Sequence, residues 1–333
     1  MNPTIAKLIA LYGEDLADGM ISIRGVMGAT GCTLHQAHQA SIHARKKRPP
    51  GTWRVVVAGD LHFCPHHAEN SRKVAKAFGQ FITAQGRAAM RNREKFVAVS
   101  IGDAADFASL SSYDKGRRAF EGRELRADFE EVNRCIALVS EHIENDVWAY
   151  MARRPFVTSG NHEERVLRVE ESDREFSGTF GIGYDEHKGR PINLEWQENG
   201  WSVYPFLRPA FVDDVAFMHY LPSPKTGRAI ASVNQGRALL MSSHQSIIVG
   251  HSHEWRTGRL LRLDGSKLVA TVVGCSFLDD HAYAGHIGNL NYDRGFTVLR
   301  GLKGSEYTPQ FMPFSEVFRY LESRGFKKNN KQG

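Results

Sequence analysis

Short apolar runs at 54–58, 96–101, 155–158, 215–218 and 246–249 each give way, mostly at a glycine, to acids, imidazoles or an amide. Runs of this length with that ending read as strands buried on both faces that stop in a functional loop. Loops at the carboxyl ends of parallel strands share one edge of a sheet, where open α/β folds bind ligands. Between these runs lies a charged, helix-patterned insertion at about 110–148. Two further strands are expected at 256–263 and 267–273, joined by the hairpin pair Asp264-Gly265. A last strand is expected at 296–299. The pattern predicts an α/β protein: two sheets packed face to face, with helices outside.

The loops define the chemistry. After the first run come Asp60 and His62, after the second Asp103 and Asp106, after the third Asn161 and His162. The fourth ends at His219, and the fifth at His251 and His253. Carboxylates, imidazoles and an amide oxygen are the donors that divalent ions of intermediate softness accept. Spacing such as Asp60-x-His62 or His251-x-His253 brings alternate residues to one side of an extended chain. The set outlines a two-metal site. Two ions about 3.5–4 Å apart overcome the repulsion between an anionic ester and an anionic nucleophile, which points to phosphoester hydrolysis.

Before the first strand the character changes. Residues 1–50 pattern as helices at about 3–17, 22–29 and 33–47. Ser22 suits the cap of the second, Thr33 with Gln36 forms a capping box for the third, and Gly31 sits in the tight link between them. Short helix, glycine turn, longer polar helix is a helix-turn-helix pattern. Gln36 and Gln39 would face outward to read base edges, and Arg45, Lys46, Lys47 and Arg48 would hold phosphates. The net charge is +6, and these fifty residues hold six basic against three acidic side chains, so the excess is concentrated there. Pro49-Pro50-Gly51 marks the boundary. A small helical cap docked on the main domain is the plainer alternative.

The motif order DxH, GDxxD, GNH, lone His, GHxH, running from Asp60 to His253, strongly resembles that of the calcineurin-like metallophosphoesterases. The resemblance implies that Asp60, His62, Asp103 and His253 hold a first ion, with Asp103 bridging. Asn161, His219 and His251 would complete a second. His162 matches the family's general acid, and Asp106 the carboxylate that orients it. Glu163 stands where many members have Asp. Arg165 and Arg256 are candidate phosphate contacts outside the motifs. His66, His67, His244, His281 and His286 fit no motif slot and are expected in solvent or behind the ligands, although His281 follows a strand and can approach the site.

The expected layout is a basic module over 1–50, a metallophosphoesterase domain over 51–310, and a C-terminal helix with a basic tail over 311–333. No run of 18 apolar residues and no signal peptide is seen, and the four cysteines form no CxxC pair. A cytoplasmic protein with reduced thiols and no membrane partner is therefore expected. The expected activity is two-metal phosphodiester hydrolysis on DNA, with Mn as the first ion to assay and Fe, Zn, Ni or Mg as others. Phosphatase or phosphodiesterase action on a small molecule or phosphoprotein is the alternative. Oligomeric state is not legible.

Overall fold

The computed structural model describes Thr33 and residues 51–111, 121–172, 191–281 and 284–326. The helix-turn-helix reading of residues 1–50, including Gln36, Gln39 and Arg45 to Arg48, therefore lies outside the described residues. So does the tail from 327.

Every one of the five apolar runs is a strand: β1 (Trp53–Gly59), β2 (Lys95–Ile101), β3 (Phe156–Thr158), β6 (Val215–Phe217) and β7 (Ser246–Val249). Strands β4 (Ser202–Tyr204) and β5 (Ala210–Val212) come between β3 and β6. The expected hairpin is β8 (Trp255–Leu261) and β9 (Lys267–Val273), paired antiparallel. The expected last strand is longer, β10 (Gly295–Lys303), and one more follows it, β11 (Glu306–Pro313).

Two mixed sheets result. One has the order β11-β10-β1-β2-β3-β4, the other β5-β6-β7-β9-β8. Strands β1 to β4 are mutually parallel, as are β6, β7 and β9. The two faces of each strand bury against different partners, because successive side chains alternate. Val55 and Val57 of β1, with Val97, Val99 and Ile101 of β2, meet Phe217, Ile248, Val269 and Val273 in a core between the sheets. Val56 and Ala58 face the other way, toward helices. Burial on both sides is why these strands read as unbroken apolar runs.

Helices cover both outer faces. The long helix α1 (Ala68–Asn92) lays Val74, Phe78, Phe81 and Ile82 on the first sheet, at helical spacing. Helices α2 (Leu125–Glu141) and α3 (Asn145–Tyr150) occupy the expected charged insertion and pack on α1. Two shorter helices, α4 (Glu163–Ser172) and α5 (Pro191–Glu198), flank the stretch between β3 and β4. Helix α6 (Gln235–Ser243) covers the second sheet with Leu239 and Leu240. Helix α7 (Gly285–Leu290) is a short segment before β10. Helix α8 (Phe314–Ser323) begins directly after β11, and its Phe314, Val317 and Leu321 join the core that α1 covers. The expected boundary at 310 thus falls within β11. Among the described residues no helix is long and apolar enough to cross a membrane.

Candidate metal centre

Parallel strands end on the same side, so the loops after β1, β2 and β3 meet those after β6 and β7 at one edge of the sandwich. Backbone hydrogen bonds knit the loops together. His62 N–H donates to Asp103 O at 2.9 Å, Gly102 N–H to Thr158 O at 2.7 Å, and Gly250 N–H to His219 O at 2.9 Å. Asp60 accepts the His251 N–H on its carboxylate at 2.9 Å, tying the first sheet to the second.

All seven residues expected as ligands converge here. Ligand-capable atoms of Asp60, His62 and His253 lie within 4.8 Å of one another, and so do those of Asp103, His219 and His251. Asn161 belongs to the second group: His219 Nε2 is 2.9 Å from Asn161 Oδ1, 3.2 Å from Asp103 Oδ2 and 3.2 Å from His251 Nδ1. Four lone-pair donors thus surround a spot where at most one or two protons could bridge them. A cation satisfies that arrangement better than a proton does. In the first group, His62 Nε2 is buried without a hydrogen-bond partner among the described residues. A buried imidazole nitrogen without a partner, on a residue grouped with Asp60 and His253, fits a metal ion.

The backbone is strained at most of these residues. Asp60, His62, Asp103, His251 and His253 have φ of 46°, 47°, 43°, 72° and 60°. Non-glycine residues in this left-handed region cost about 1 kcal/mol or more each, and persist only where their surroundings over-determine them. Such outliers concentrate at functional sites. Gly102 takes φ +57° beside them, and a Cβ there would collide with the His219 ring.

Asp106 stands between two imidazoles. Its Oδ1 is 3.2 Å from Nδ1 of His62 and 3.2 Å from Nδ1 of His162. It is thus in contact with both His162 and the ligand candidate His62. The His162 Nδ1–H reaches Asp106 O at 2.8 Å. Arg165 donates from Nη1 to Asp106 O and from Nη2 to His162 Nε2, each at 2.8 Å. Arg165 can only donate, so in this arrangement His162 Nε2 carries its lone pair and the proton is on Nδ1.

Electrostatics follow from burial against charge. Burial pushes the Asp103 carboxyl up, but the imidazoles of His162 and His219 hold it well below the usual carboxylate range. Asp106 is likewise held well down, against burial, by its hydrogen bonds to His162 and His62. Burial disfavours a charged His219, yet Asp103 raises it to about 9. Burial and then the charge of His219 lower His251 to about 4. For His162, burial opposes the cation, while Asp103 and Asp106 outweigh it and shift the ring upward.

Two residues matter here beyond the expected set. Glu163 is 5 % exposed, and its carboxylate accepts from the backbone N–H groups of Gly160 at 2.7 Å, Asp103 at 3.1 Å and Ala105 at 3.0 Å. It clamps the loop after β2 to the loop after β3. In the sequence it is an acid directly after the Asn-His pair, at the first turn of a helix, a position where acids are common for other reasons. His281, which fits no motif slot but follows a strand that can bring it to the site, lines the cavity over the site with its ring 5.1 Å from that of His62.

A cavity of about 470 Å³ opens over the cluster, lined by His62, Asp106, Asn161, His162, Arg165 and His251 among others. Arg165 is thus on the cavity wall. Arg256 does not line this cavity. Its guanidinium pairs with Glu254 and donates to the carbonyls of Ser232 and Val233, at a separate groove beside α6. The reason is topological: β8 is the outermost strand of its sheet, so Arg256 sits at the margin.

The chain is thus a mixed α/β protein of two sheets flanked by helices, with His/Asp clusters able to bind metal ions at one sheet edge. No family model matches the sequence, and no curated protein matches it. Among solved structures it is similar to the Termus thermophilus sulfate thiohydrolase SoxB in complex with glycerol, at 13 % identity and a TM-score of 0.32. The match covers 83 % of this chain and 60 % of that one.

Proposed function

We propose that this chain is a two-metal phosphoesterase that hydrolyses phosphodiesters, with DNA as its polymer. The observation that carries the reading is the meeting of Asp103 Oδ2, Asn161 Oδ1, His219 Nε2 and His251 Nδ1 around one spot, beside the Asp60, His62 and His253 group. Asp60, His62, Asp103 and His253 would hold one ion, and Asp103, Asn161, His219 and His251 the other. Bound there, divalent ions supply Lewis acidity toward phosphoryl oxygens and make water a stronger acid.

The rest falls to side chains of this chain. His162 is the proton donor to the departing oxygen, and Asp106 keeps its Nδ1–H pointed away so that Nε2 faces the cavity. Arg165 occupies that Nε2 when substrate is absent. An anionic ester draws the guanidinium to its own oxygens, and Nε2 is then able to take up from solvent the proton that it later delivers to the departing oxygen. Asp103 and Asp106 favour this protonated state of His162.

The choice of DNA rests on the basic segment ahead of the domain. A specific observation favours a second reading, a small phosphate ester: the cavity of about 470 Å³ lies in the size range of small-molecule sites. One set of assays separates them. With Mn²⁺ present, the protein is given bis-p-nitrophenyl phosphate, p-nitrophenyl phosphate and plasmid DNA. Deleting residues 1–48 is expected to spare the nitrophenyl diester while weakening DNA binding and flattening its salt dependence. Unchanged DNA affinity and salt slope after the deletion would select the small ester. Failure to turn over any phosphate ester would overturn both.

A further inference from the structure

Strand β9 runs parallel to β7, so it too ends at the edge where the candidate ligands meet. The loop it feeds carries none of the five motifs, yet it is anchored along its length. Ser276 N–H donates to Asp60 O at 3.0 Å, and its hydroxyl to Gly295 O at 2.9 Å. Asn70 Nδ2 donates to Asp279 Oδ1 at 2.6 Å, and Arg294 Nη2 to Asp279 O at 3.1 Å.

The loop ends at His281, whose backbone is gripped from both sides by one amide. His281 N–H donates to Asn289 Oδ1 at 2.8 Å, and Asn289 Nδ2 donates back to His281 O at 2.8 Å. Asn289 is 8 % exposed and also donates to Gly285 O at 2.7 Å, so its own orientation is fixed. A two-way amide bond of this kind sets the direction in which the side chain leaves the backbone.

That direction is into the cavity. The His281 ring lies 5.1 Å from His62 and 6.2 Å from His253, edge-on to both, and 4.3 Å from the buried Phe277. It belongs to none of the ligand clusters that close within 4.8 Å. It stands over the Asp60, His62 and His253 group, where an ester's phosphoryl oxygens would lie. Imidazole brings an N–H donor to that place.

We propose that His281 contacts substrate, donating a hydrogen bond to a phosphoryl oxygen of the bound ester, and that Asn289 is the positioning residue that aims it. The inference rests on the phosphoesterase reading.

The test uses the full chain loaded with Mn²⁺, with inorganic phosphate as the probe in calorimetry and bis-p-nitrophenyl phosphate as the substrate. His281→Ala is expected to keep the wild-type Mn²⁺ content while phosphate affinity and kcat/KM fall about ten- to a hundredfold, the size of one lost hydrogen bond to a charged acceptor. His281→Gln, which keeps an N–H donor, is expected to recover part of the loss. Asn289→Ala should weaken phosphate binding in the same direction with His281 intact. Unaltered phosphate affinity in His281→Ala would overturn the proposal. Loss of Mn²⁺ from that variant would also overturn it, by making His281 a metal ligand. If the wild-type protein cleaves no ester, the phosphoesterase reading falls, while the phosphate titration still decides the contact.

Discussion

Glu163 holds Asp103 by its backbone, taking the Asp103 N–H at 3.1 Å, while Asp103 Oδ1 accepts the N–H of His162 at 2.8 Å. The two acids therefore lock the loops after β2 and β3 to each other in both directions. They also share a buried site, and burial together with the charge of Asp103 raises the Glu163 pKa. The arrangement is maintained because three backbone N–H groups need that carboxylate.

Glu163→Gln keeps the shape and removes one acceptor oxygen, turning an NH₂ group toward backbone donors. An unpaired buried N–H costs about 1–3 kcal/mol, so a lower Tm is expected. Because Asp103 is held at φ 43° by these bonds, Mn²⁺ affinity should fall as well. Thermal melts and calorimetric Mn²⁺ titration measure the two effects. A normal Tm with normal Mn²⁺ affinity would show that Glu163 holds nothing of consequence.

Asp103→Asn removes the carboxylate proposed to bridge both ions. Metal content and hydrolysis of a nitrophenyl diester should fall together, read by elemental analysis and initial rates. Full activity at full metal content would remove Asp103 from the bridging position.

His162→Ala tests proton delivery. Turnover of an ester with a poor leaving group should drop about 10²-fold or more, the usual worth of a general acid, while nitrophenolate, which departs without a proton, is affected far less. Metal content should stay normal. Equal losses on both substrates would give His162 another role.

Gly102→Ala and Gly265→Ala make a paired test of the left-handed positions. Gly265 has φ +83° with nothing within 4 Å of an added Cβ, so only backbone strain of about 1 kcal/mol is expected. Gly102 has φ +57° and its Cβ would strike the His219 ring, so Mn²⁺ affinity should fall along with stability. Equal Mn²⁺ affinity in the two variants would argue against a ligand role for His219.

Acid should destabilise the metal-free protein through His281. Burial, and then the charge of His62, lower its pKa from 6.5 to about 3 in the fold. The unfolded chain binds this proton near pH 6.5 and the folded chain only near pH 3, so the cost is absent above that window and grows as pH drops through it. One such group accounts for up to about 1.4 kcal/mol per pH unit. Urea unfolding in EDTA between about pH 4 and 7 should therefore show a shallower acid slope for His281→Gln. His251, lowered to about 4, keeps part of the slope in place. An identical slope in the variant would mean that His281 titrates normally.

The strands that carry the site were legible because burial on both faces leaves no polar position to interrupt them. Val55 to Ala58 read as one apolar run for that reason, although alternate residues serve different cores. The donor set was legible because metal chemistry restricts residue types and the chain delivers them loop by loop. Other features were hidden. Left-handed backbone at Asp60, His62 and His253 is imposed by bonds between loops far apart in sequence, and the modest tolerance of Asp and His for that region is too weak a signal to announce it. Glu163 looks like an ordinary acid in a helix's first turn, where acids are favoured anyway. Arg256 follows the GHSH loop in sequence, but its marginal strand takes it away from the cavity.

Each candidate ion site draws on both sheets. Asp60 and His62 follow β1 while His253 follows β7, and Asp103 follows β2 while His219 and His251 follow β6 and β7. The core between the sheets is apolar, and Tyr307 reaches across it to donate to the backbone carbonyls of Ile247 and Val269. An ion at either position would act as a rivet through the two layers, fixing their register at the open edge. Shear between the sheets would then meet more resistance at the filled site than at the emptied one. Amide exchange in the strand ends around Gly59, Ile101 and Val249 would register the rivet going in and out.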